Sequence, residues 1–212
     1  MPELSQGDRV LLSRTSGDMM TLLLLDDTWT EFAQKQLPYD ELGVLIGQEI
    51  GPLVRRISEA APFIGSLPER MGDDLQERFD ALMWGEGLST EDRDDLRWLV
   101  NRAGGVTGLA QSAAEALSNP RAEMAAMEEQ LVRVREGGTA AGDLNKKFRC
   151  GLGSGLLISG GAAIPAAGMA GAGAAVAVGG AVAAGVLVGA TGGIGALGLI
   201  VVGLLVMRRQ KC

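Results

Sequence analysis

The feature that most constrains this chain is a stretch of 57 residues, from Gly151 to Met207, that contains no charged side chain. A membrane-spanning helix needs about 20 apolar residues, so two spans and a turn need roughly 45 to 55. The stretch, which we call the uncharged tract, is long enough for two spans, with a turn predicted near Gly179 and Gly180. The sequence therefore predicts a Gly/Ala-rich transmembrane helical hairpin over residues 151–207.

Two groups of basic residues flank the uncharged tract and predict its orientation. They are Lys146, Lys147 and Arg149 before the tract, and Arg208, Arg209 and Lys211 after it. Cytoplasmic loops of membrane proteins are enriched in Lys and Arg, and an even number of spans places both groups on the cytosolic side. We therefore expect these six residues to set a topology in the plasma (inner) membrane with both termini cytosolic. The alternative is that the protein first exists in a soluble form and inserts later.

The two arms of the tract differ in hydrophobicity. Residues 182–206 hold 13 Leu, Ile or Val, whereas residues 152–176 hold 6 and include Pro165. At about −0.3 to −0.6 kcal/mol for each large aliphatic residue, insertion gains about −4 to −8 kcal/mol in the second arm and about −2 to −4 kcal/mol in the first. We expect the second arm to insert alone and the first arm to need a partner helix.

Glycines at four-residue spacing indicate what kind of partner this is. Gly185, Gly189 and Gly193 form one row, and Gly151 and Gly155 share the spacing. Small residues along one face allow two helix backbones to approach closely. We interpret these glycines as sites of membrane helix packing in a homo-oligomer, with an inert Gly/Ala-rich anchor as the alternative.

The rest of the chain is acidic and is divided into helices. Residues 1–145 carry 13 Lys and Arg against all 26 Asp and Glu, which argues against a nucleic-acid partner. Apolar residues at helical spacing predict an all-α fold class. The predicted order is a soluble acidic helical domain (1–138), a hinge with the basic juxtamembrane cluster (139–150), the hairpin (151–207) and a basic C-terminal tail (208–212).

Local signals predict where several of these helices begin. Ser66 and Glu69 have the spacing of a capping box, which predicts a helix over residues 67–84. Proline removes a backbone donor and clashes with the preceding turn, so Gly51 and Pro52 should kink the helix that contains them.

Two further helices have their own start residues. Ser89 is predicted to begin a helix that ends at Gly104, and Asn119 followed by Pro120 is predicted to begin another. Residues 8–25 are ambiguous, because they fit either a β-hairpin or a short helical pair.

The chain offers little for catalysis. It contains no histidine, which removes the commonest general base and most zinc ligand sets. Trp29, Trp84 and Trp98 are interpreted as core aromatics, with a partner groove or a membrane-interface position as the alternative. We expect no enzyme activity, no cofactor and no metal site.

The two cysteines, Cys150 and Cys212, lie at the two ends of the tract. Two cysteines in a chain of 212 residues are not typical of a secreted disulfide framework, so we expect reduced thiols. Juxtamembrane cysteines suit S-palmitoylation, which makes both residues possible acylation sites.

The glycine-rich hairpin resembles the hydrophobic hairpins of colicin-type pore formers and of small two-span effectors in bacterial defence systems. The resemblance covers the tract alone, about a quarter of the chain, and no family membership is inferred from it. It implies a self-associating protein that inserts into a lipid bilayer and permeabilises it under control of the helical N-terminal domain. The alternative is a membrane-anchored adaptor or scaffold whose acidic domain recruits a cytosolic protein partner.

Overall fold

A computed structural model describes residues 4–34, 43–85, 87–136, 144–164 and 194–212. Every regular element in these residues is helical, which confirms the predicted all-α class. The elements in chain order are α1 (Gln6–Gln34), a π-helical segment (Leu45–Ile50), α2 (Gly51–Met71), α3 (Asp73–Trp84), α4 (Thr90–Arg102), α5 (Val106–Leu117), α6 (Pro120–Arg135), α7 (Lys146–Ala163) and α8 (Ile194–Gln210).

Helix α1 resolves the ambiguity over residues 8–25, because these residues form one continuous helix rather than a hairpin or a helical pair. Its buried side chains recur at helical spacing and include Leu12, Met19 and Leu22. Gly17 lies inside the helix, where a glycine costs about 1 kcal/mol relative to alanine. Burial of the apolar face therefore outweighs the local turn signal.

The kink predicted at Gly51 and Pro52 stays a prediction, and the structure shows a change of helix type at this point. The backbone of Leu45–Ile50 is π-helical, the Gly51 amide donates to the Ile46 carbonyl, and α2 continues from Gly51. Proline has no amide hydrogen, so the first turn of an α-helical segment accommodates it best.

The predicted helix start at residue 67 is wrong. Ser66 lies inside α2, where its hydroxyl donates to the Phe63 carbonyl at 2.9 Å instead of capping a helix. Helix α2 ends before Gly72, whose φ of 58° lies in the left-handed region that glycine adopts readily. Helix α3 then begins at Asp73, so the capping-box spacing occurred by chance within a longer amphipathic helix.

The other two start signals are confirmed. Ser89 begins α4, and its side chain accepts a hydrogen bond from the Asp92 amide at 3.1 Å. Asn119 accepts one from the Ala122 amide at 3.3 Å, and Pro120 is the first residue of α6. Side-chain oxygens at this position satisfy amide groups that have no carbonyl partner in the first turn of a helix.

Helix α7 lies at the centre of a helical bundle. It packs against α1, α2, α3, α5 and α8, and nearly all of its residues are buried. Its C-terminal half joins a hydrophobic core with α2, α3, α4, α5 and α8, and its N-terminal half joins a second core with α1, α2 and α6. The described part of the uncharged tract thus shares both cores with the acidic helices, and the predicted domain boundaries stay a prediction.

Within the described ranges, no helix is both long enough and apolar enough to span a membrane. The turn predicted near Gly179 and Gly180 lies outside those ranges, as do Gly185, Gly189 and Gly193. The transmembrane hairpin therefore stays a prediction.

Candidate functional site

The candidate site is α7 together with the groups that hold it, because α7 has no charged residue after Arg149 and is enclosed by the acidic helices. Its glycines allow neighbours to approach from several sides. A Cβ atom built on Gly151 would lie 2.7 Å from the Ala116 side chain, and one on Gly155 would lie 2.9 Å from the Met19 sulfur. These two predicted packing glycines therefore contact α5 and α1 of the same chain. Their role in membrane helix packing stays a prediction.

The closest backbone approach joins α7 to α8, which run antiparallel. A Cβ atom on Gly160 would lie 2.8 Å from the Ala196 carbonyl oxygen, and one on Gly203 would lie 2.7 Å from the Gly153 carbonyl oxygen. Backbone atoms cannot move aside as a flexible side chain can, so a larger residue would push the helices apart. The four-residue spacing in the sequence did not single out these glycines, because their contacts join helices that are distant along the chain.

Two buried carboxylates hold the N-terminal end of α7, and we call them and their partners the N-terminal clamp. Asp26 of α1 forms an ion pair with Arg149 and accepts a hydrogen bond from the Leu144 amide at 3.1 Å. Glu123 of α6 accepts one from the Asn145 amide at 3.1 Å. The two acids are 2% and 4% exposed. Desolvation raises the pKa of Glu123 above its ordinary value, and the hydrogen bond from Asn145 opposes this rise.

Arg78 of α3 forms a corresponding C-terminal clamp. Its guanidinium donates to the carbonyl oxygen of Ala162 at 2.9 Å and to that of Ile164. The last carbonyls of a helix have no partner within the helix, and a cation there also interacts favourably with the helix dipole. Polar side chains from the enclosing helices therefore satisfy groups at both ends of α7.

A disulfide joins the outer ends of the two tract helices. It links Cys150 of α7 to Cys212, which follows α8, with the Cα atoms 5.8 Å apart. The expectation of reduced thiols is therefore wrong for this structure. The bond was not predicted because 62 positions separate the cysteines, and only the packing of α7 on α8 brings them together. A sulfur within a disulfide cannot be acylated, so acylation stays a prediction for the reduced chain.

The six cations predicted to set the topology differ in their contacts. Arg149 belongs to the N-terminal clamp, and Lys147 contacts Glu115 at 2.8 Å. Arg208 contacts three acids of α4, which we call the α4 acidic cluster. These are Glu91 at 2.9 Å, Asp92 at 3.3 Å and Asp95 at 2.5 Å. Lys146, Arg209 and Lys211 are exposed, and so are the paired Lys147 and Arg208.

Helix α8 is apolar on all sides up to Met207, but only one side is buried. That side faces α7 and includes Ile200 and Gly203. The partly exposed residues on the other side are all glycine or aliphatic. They are Gly195, Gly198, Leu199, Val201, Val202, Leu205 and Val206. A surface helix of a globular protein normally has a polar outer face, so α8 departs from the usual pattern.

Comparison with known proteins assigns no family to this chain. No family model, curated protein or solved structure matches it. Among the residues that the structure describes, no group of three or more His, Cys, Asp or Glu is placed to hold a metal ion. Function is therefore inferred from the geometry of α7, its two clamps and α8.

Two of the three tryptophans lie at the surface rather than in the core. Trp84 and Trp98 are 70% and 54% exposed, so their interpretation as core aromatics is wrong. An arginine is stacked on each ring, with Arg97 4.2 Å from the Trp84 centroid and Arg102 4.8 Å from that of Trp98. The Trp29 side chain lies outside the described residues. Arginine often stacks on aromatic rings in proteins, and both Trp and Arg are enriched among the residues that dominate binding at protein interfaces.

Proposed function

We propose that this protein inserts into a lipid bilayer, self-associates there and permeabilises it. Helices α1 to α6 control this step by shielding the uncharged tract beforehand. The observation that supports the proposal is the placement of α7, which has no charged residue after Arg149 and is enclosed by α8 and by four helices of the acidic part of the chain. A helix that is apolar on all sides belongs in a protein core or in a membrane. The bundle shields α7 from water until α7 leaves the bundle and enters a bilayer.

The outer face of α8 supports a first contact with lipid. Leu205 is a partly exposed aliphatic residue of this face, Leu199 and Val202 are partly exposed beside their contacts with the second core, and the exposed Arg209 and Lys211 follow. Aliphatic surface gains about 25 cal/mol for each Å² removed from water, and basic residues near a membrane are attracted to anionic headgroups. We therefore propose that α8 reaches the bilayer first.

The contacts that hold the tract in the bundle are of a kind that an anionic membrane can replace. Exposed ion pairs, such as those of Arg208 with the α4 acidic cluster, contribute roughly 0 to 1 kcal/mol each. Lipid headgroups compete with these acids for Arg208, and with Glu115 for Lys147. Binding to the membrane surface thus weakens the restraints on the tract.

In the inserted state we propose the two-span hairpin over residues 151–207, in the plasma (inner) membrane with both termini on the same face. The hairpins pack into a homo-oligomer through the row of Gly185, Gly189 and Gly193. Close backbone packing at small residues stabilises helix association within lipid, where the hydrophobic effect no longer drives it.

Release of trapped dye from liposomes tests this proposal. Purified full-length protein should release dye from vesicles that contain anionic lipid, and the rate should rise more steeply than linearly with protein density. Replacing the three glycines of the row with leucine should abolish release, because the larger side chains hold the backbones apart. Binding to the vesicles should persist or increase, because hydrophobicity rises.

A matched control raises hydrophobicity without touching the row. Replacing Ala183, Ala184 and Ala190 with leucine adds similar apolar surface to the same arm and should preserve dye release. Absence of release by the wild type across lipid compositions would contradict the proposal.

A second candidate function is a membrane-anchored adaptor or scaffold, which the exposed Trp84 and Trp98 favour. Their rings and stacked arginines lie on α3 and α4, on the acidic part of the chain, where a cytosolic protein partner has access. An adaptor releases no dye, and replacing both tryptophans with serine should abolish partner binding. For a permeabilising protein, the same double variant should retain dye release.

A further inference from the structure

The disulfide closes a ring that contains the whole uncharged tract. Cys150 lies immediately before the tract, Cys212 follows it, and 62 positions separate them. At the end of α7 and α8 that carries the disulfide, a Cβ atom built on Gly153 would lie 2.6 Å from the Met207 side chain. Helices α7 and α8 are therefore an antiparallel pair that is both closely packed and covalently closed.

The bond joins the two arms to each other and joins neither arm to the enclosing helices. The chain has two cysteines, so no second disulfide can make that connection. The clamp between Arg149 and Asp26 and the contacts of Arg208 with the α4 acidic cluster are noncovalent. The disulfide thus opposes separation of α7 from α8, but it does not oppose departure of both helices together.

We infer that α7 and α8 leave the bundle and insert into the bilayer as one unit, with the disulfide intact and both ends of the tract on the same face of the membrane. The inference rests on the proposed permeabilising function. A ring closed at Cys150 and Cys212 crosses a bilayer an even number of times. The closed pair also supplies the partner helix that the weakly hydrophobic first arm needs.

Dye release by the wild type in two redox states provides the first test. Dithiothreitol reduces the bond between Cys150 and Cys212 to two thiols, and its own two thiols become a cyclic disulfide. The oxidised protein should release dye at least as fast as the reduced protein, or within about twofold of it, because the bond adds no barrier to departure of the pair. Release by the reduced protein alone overturns the inference and leaves the proposed function standing. Release in neither state overturns both.

A relocated disulfide provides the contrast. The variant carries Ala116→Cys and Gly151→Cys in a background of Cys150→Ser and Cys212→Ser. The two new Cβ positions are 2.7 Å apart, so a shift of about 1 Å gives the usual separation across a disulfide. This bond joins the tract to α5 instead of joining the two arms.

The relocated bond should block the release that the native bond permits. When oxidised, the variant should release dye at least about tenfold more slowly than after reduction, because a disulfide contributes more than the free energy of a tenfold change. Equal rates in the two states mean that the tract need not leave the bundle, which overturns the inference. Circular dichroism establishes that the variant is folded, and the wild-type comparison does not depend on it.

A protease that cannot cross the bilayer locates the two ends of the tract. Trypsin added outside the vesicles should cut the inserted, oxidised wild type after both Lys147 and Arg209. Cutting at one position with protection of the other overturns the inference, because the two ends then lie on opposite faces.

Discussion

The two arms of the uncharged tract differ in how far the bundle buries them. Helix α7 is rich in glycine, is enclosed by five helices and has polar side chains bound at both ends. Helix α8 is richer in leucine and valine, yet it rests on α7 with one side and leaves the other partly exposed. The less hydrophobic arm thus occupies the centre. Side-chain size, rather than hydrophobicity, therefore determines which arm lies at the centre of the bundle, because several neighbouring helices have to pack closely against a central helix at once.

The largest expected effect comes from Asp26, the carboxylate of the N-terminal clamp that pairs with α7. Asp26→Asn keeps an acceptor for the Leu144 amide but removes the negative charge that faces the buried Arg149. Removing one member of a buried ion pair typically costs about 3 to 5 kcal/mol. The midpoint of urea denaturation should therefore fall sharply.

A double variant provides the control for this loss. Asp26→Asn combined with Arg149→Gln removes both charges and should recover most of the stability, because neither charge of the pair then stays buried without the other. A loss below about 1 kcal/mol for Asp26→Asn alone, the range of exposed pairs, would show that this clamp does not anchor α7.

The next effect tests whether glycine holds the two arms together. Gly160→Ala places a Cβ atom 2.8 Å from the Ala196 carbonyl oxygen, and overpacking of this kind typically costs about 1 to 3 kcal/mol. Gly17→Ala is the matched control, because no atom beyond the adjoining residues and backbone of α1 lies within 4 Å of its Cβ position. The control should gain up to about 1 kcal/mol from helix propensity. A thermal unfolding midpoint that rises for both variants contradicts close packing at Gly160.

Local signals in the sequence predicted local structure, and they failed where distant residues decide the outcome. Ser89 and Asn119 cap helices as predicted, because a cap depends only on the residues of one turn. The cysteine pairing depends on how α7 packs against α8, which no local spacing contains. Asp26 offered a single hint, an acid placed directly after an apolar run, and the sequence alone could not show that Arg149 lies beside it.

A smaller effect is expected for α8. Arg208→Gln removes the ion pairs with the α4 acidic cluster, and the Arg208 side chain is 36% exposed in these contacts. Exposed pairs contribute roughly 0 to 1 kcal/mol, and salt screens them. Because one guanidinium serves all three acids, the contributions of the pairs do not add, and the variant should lose at most about 1 kcal/mol in dilute buffer and nothing measurable in about 1 M salt. A loss as large as that of Asp26→Asn would remove the contrast between the two arms.

The smallest expected effect distinguishes the two acids of the N-terminal clamp. Burial raises the pKa of Glu123 above its ordinary value of 4.5, so the folded chain binds this proton more readily than the unfolded chain does. Ionised Glu123 therefore destabilises the folded state above its folded pKa. This cost disappears as the pH falls through that pKa towards 4.5.

Glu123→Gln keeps an oxygen that accepts the Asn145 hydrogen bond and removes the charge. The variant should be more stable than the wild type at about pH 7, and its advantage should shrink as the pH falls, because the wild type then becomes neutral as well. Urea denaturation across this range measures the difference, and Glu128→Gln, at an exposed position of the same helix, should show no comparable trend. If Glu123→Gln is instead the less stable protein at neutral pH, ionised Glu123 stabilises α7 as Asp26 does. With the expected outcome, protonation of Glu123 removes the cost of burying its charge, and Asp26 is the carboxylate whose charge holds α7 in place.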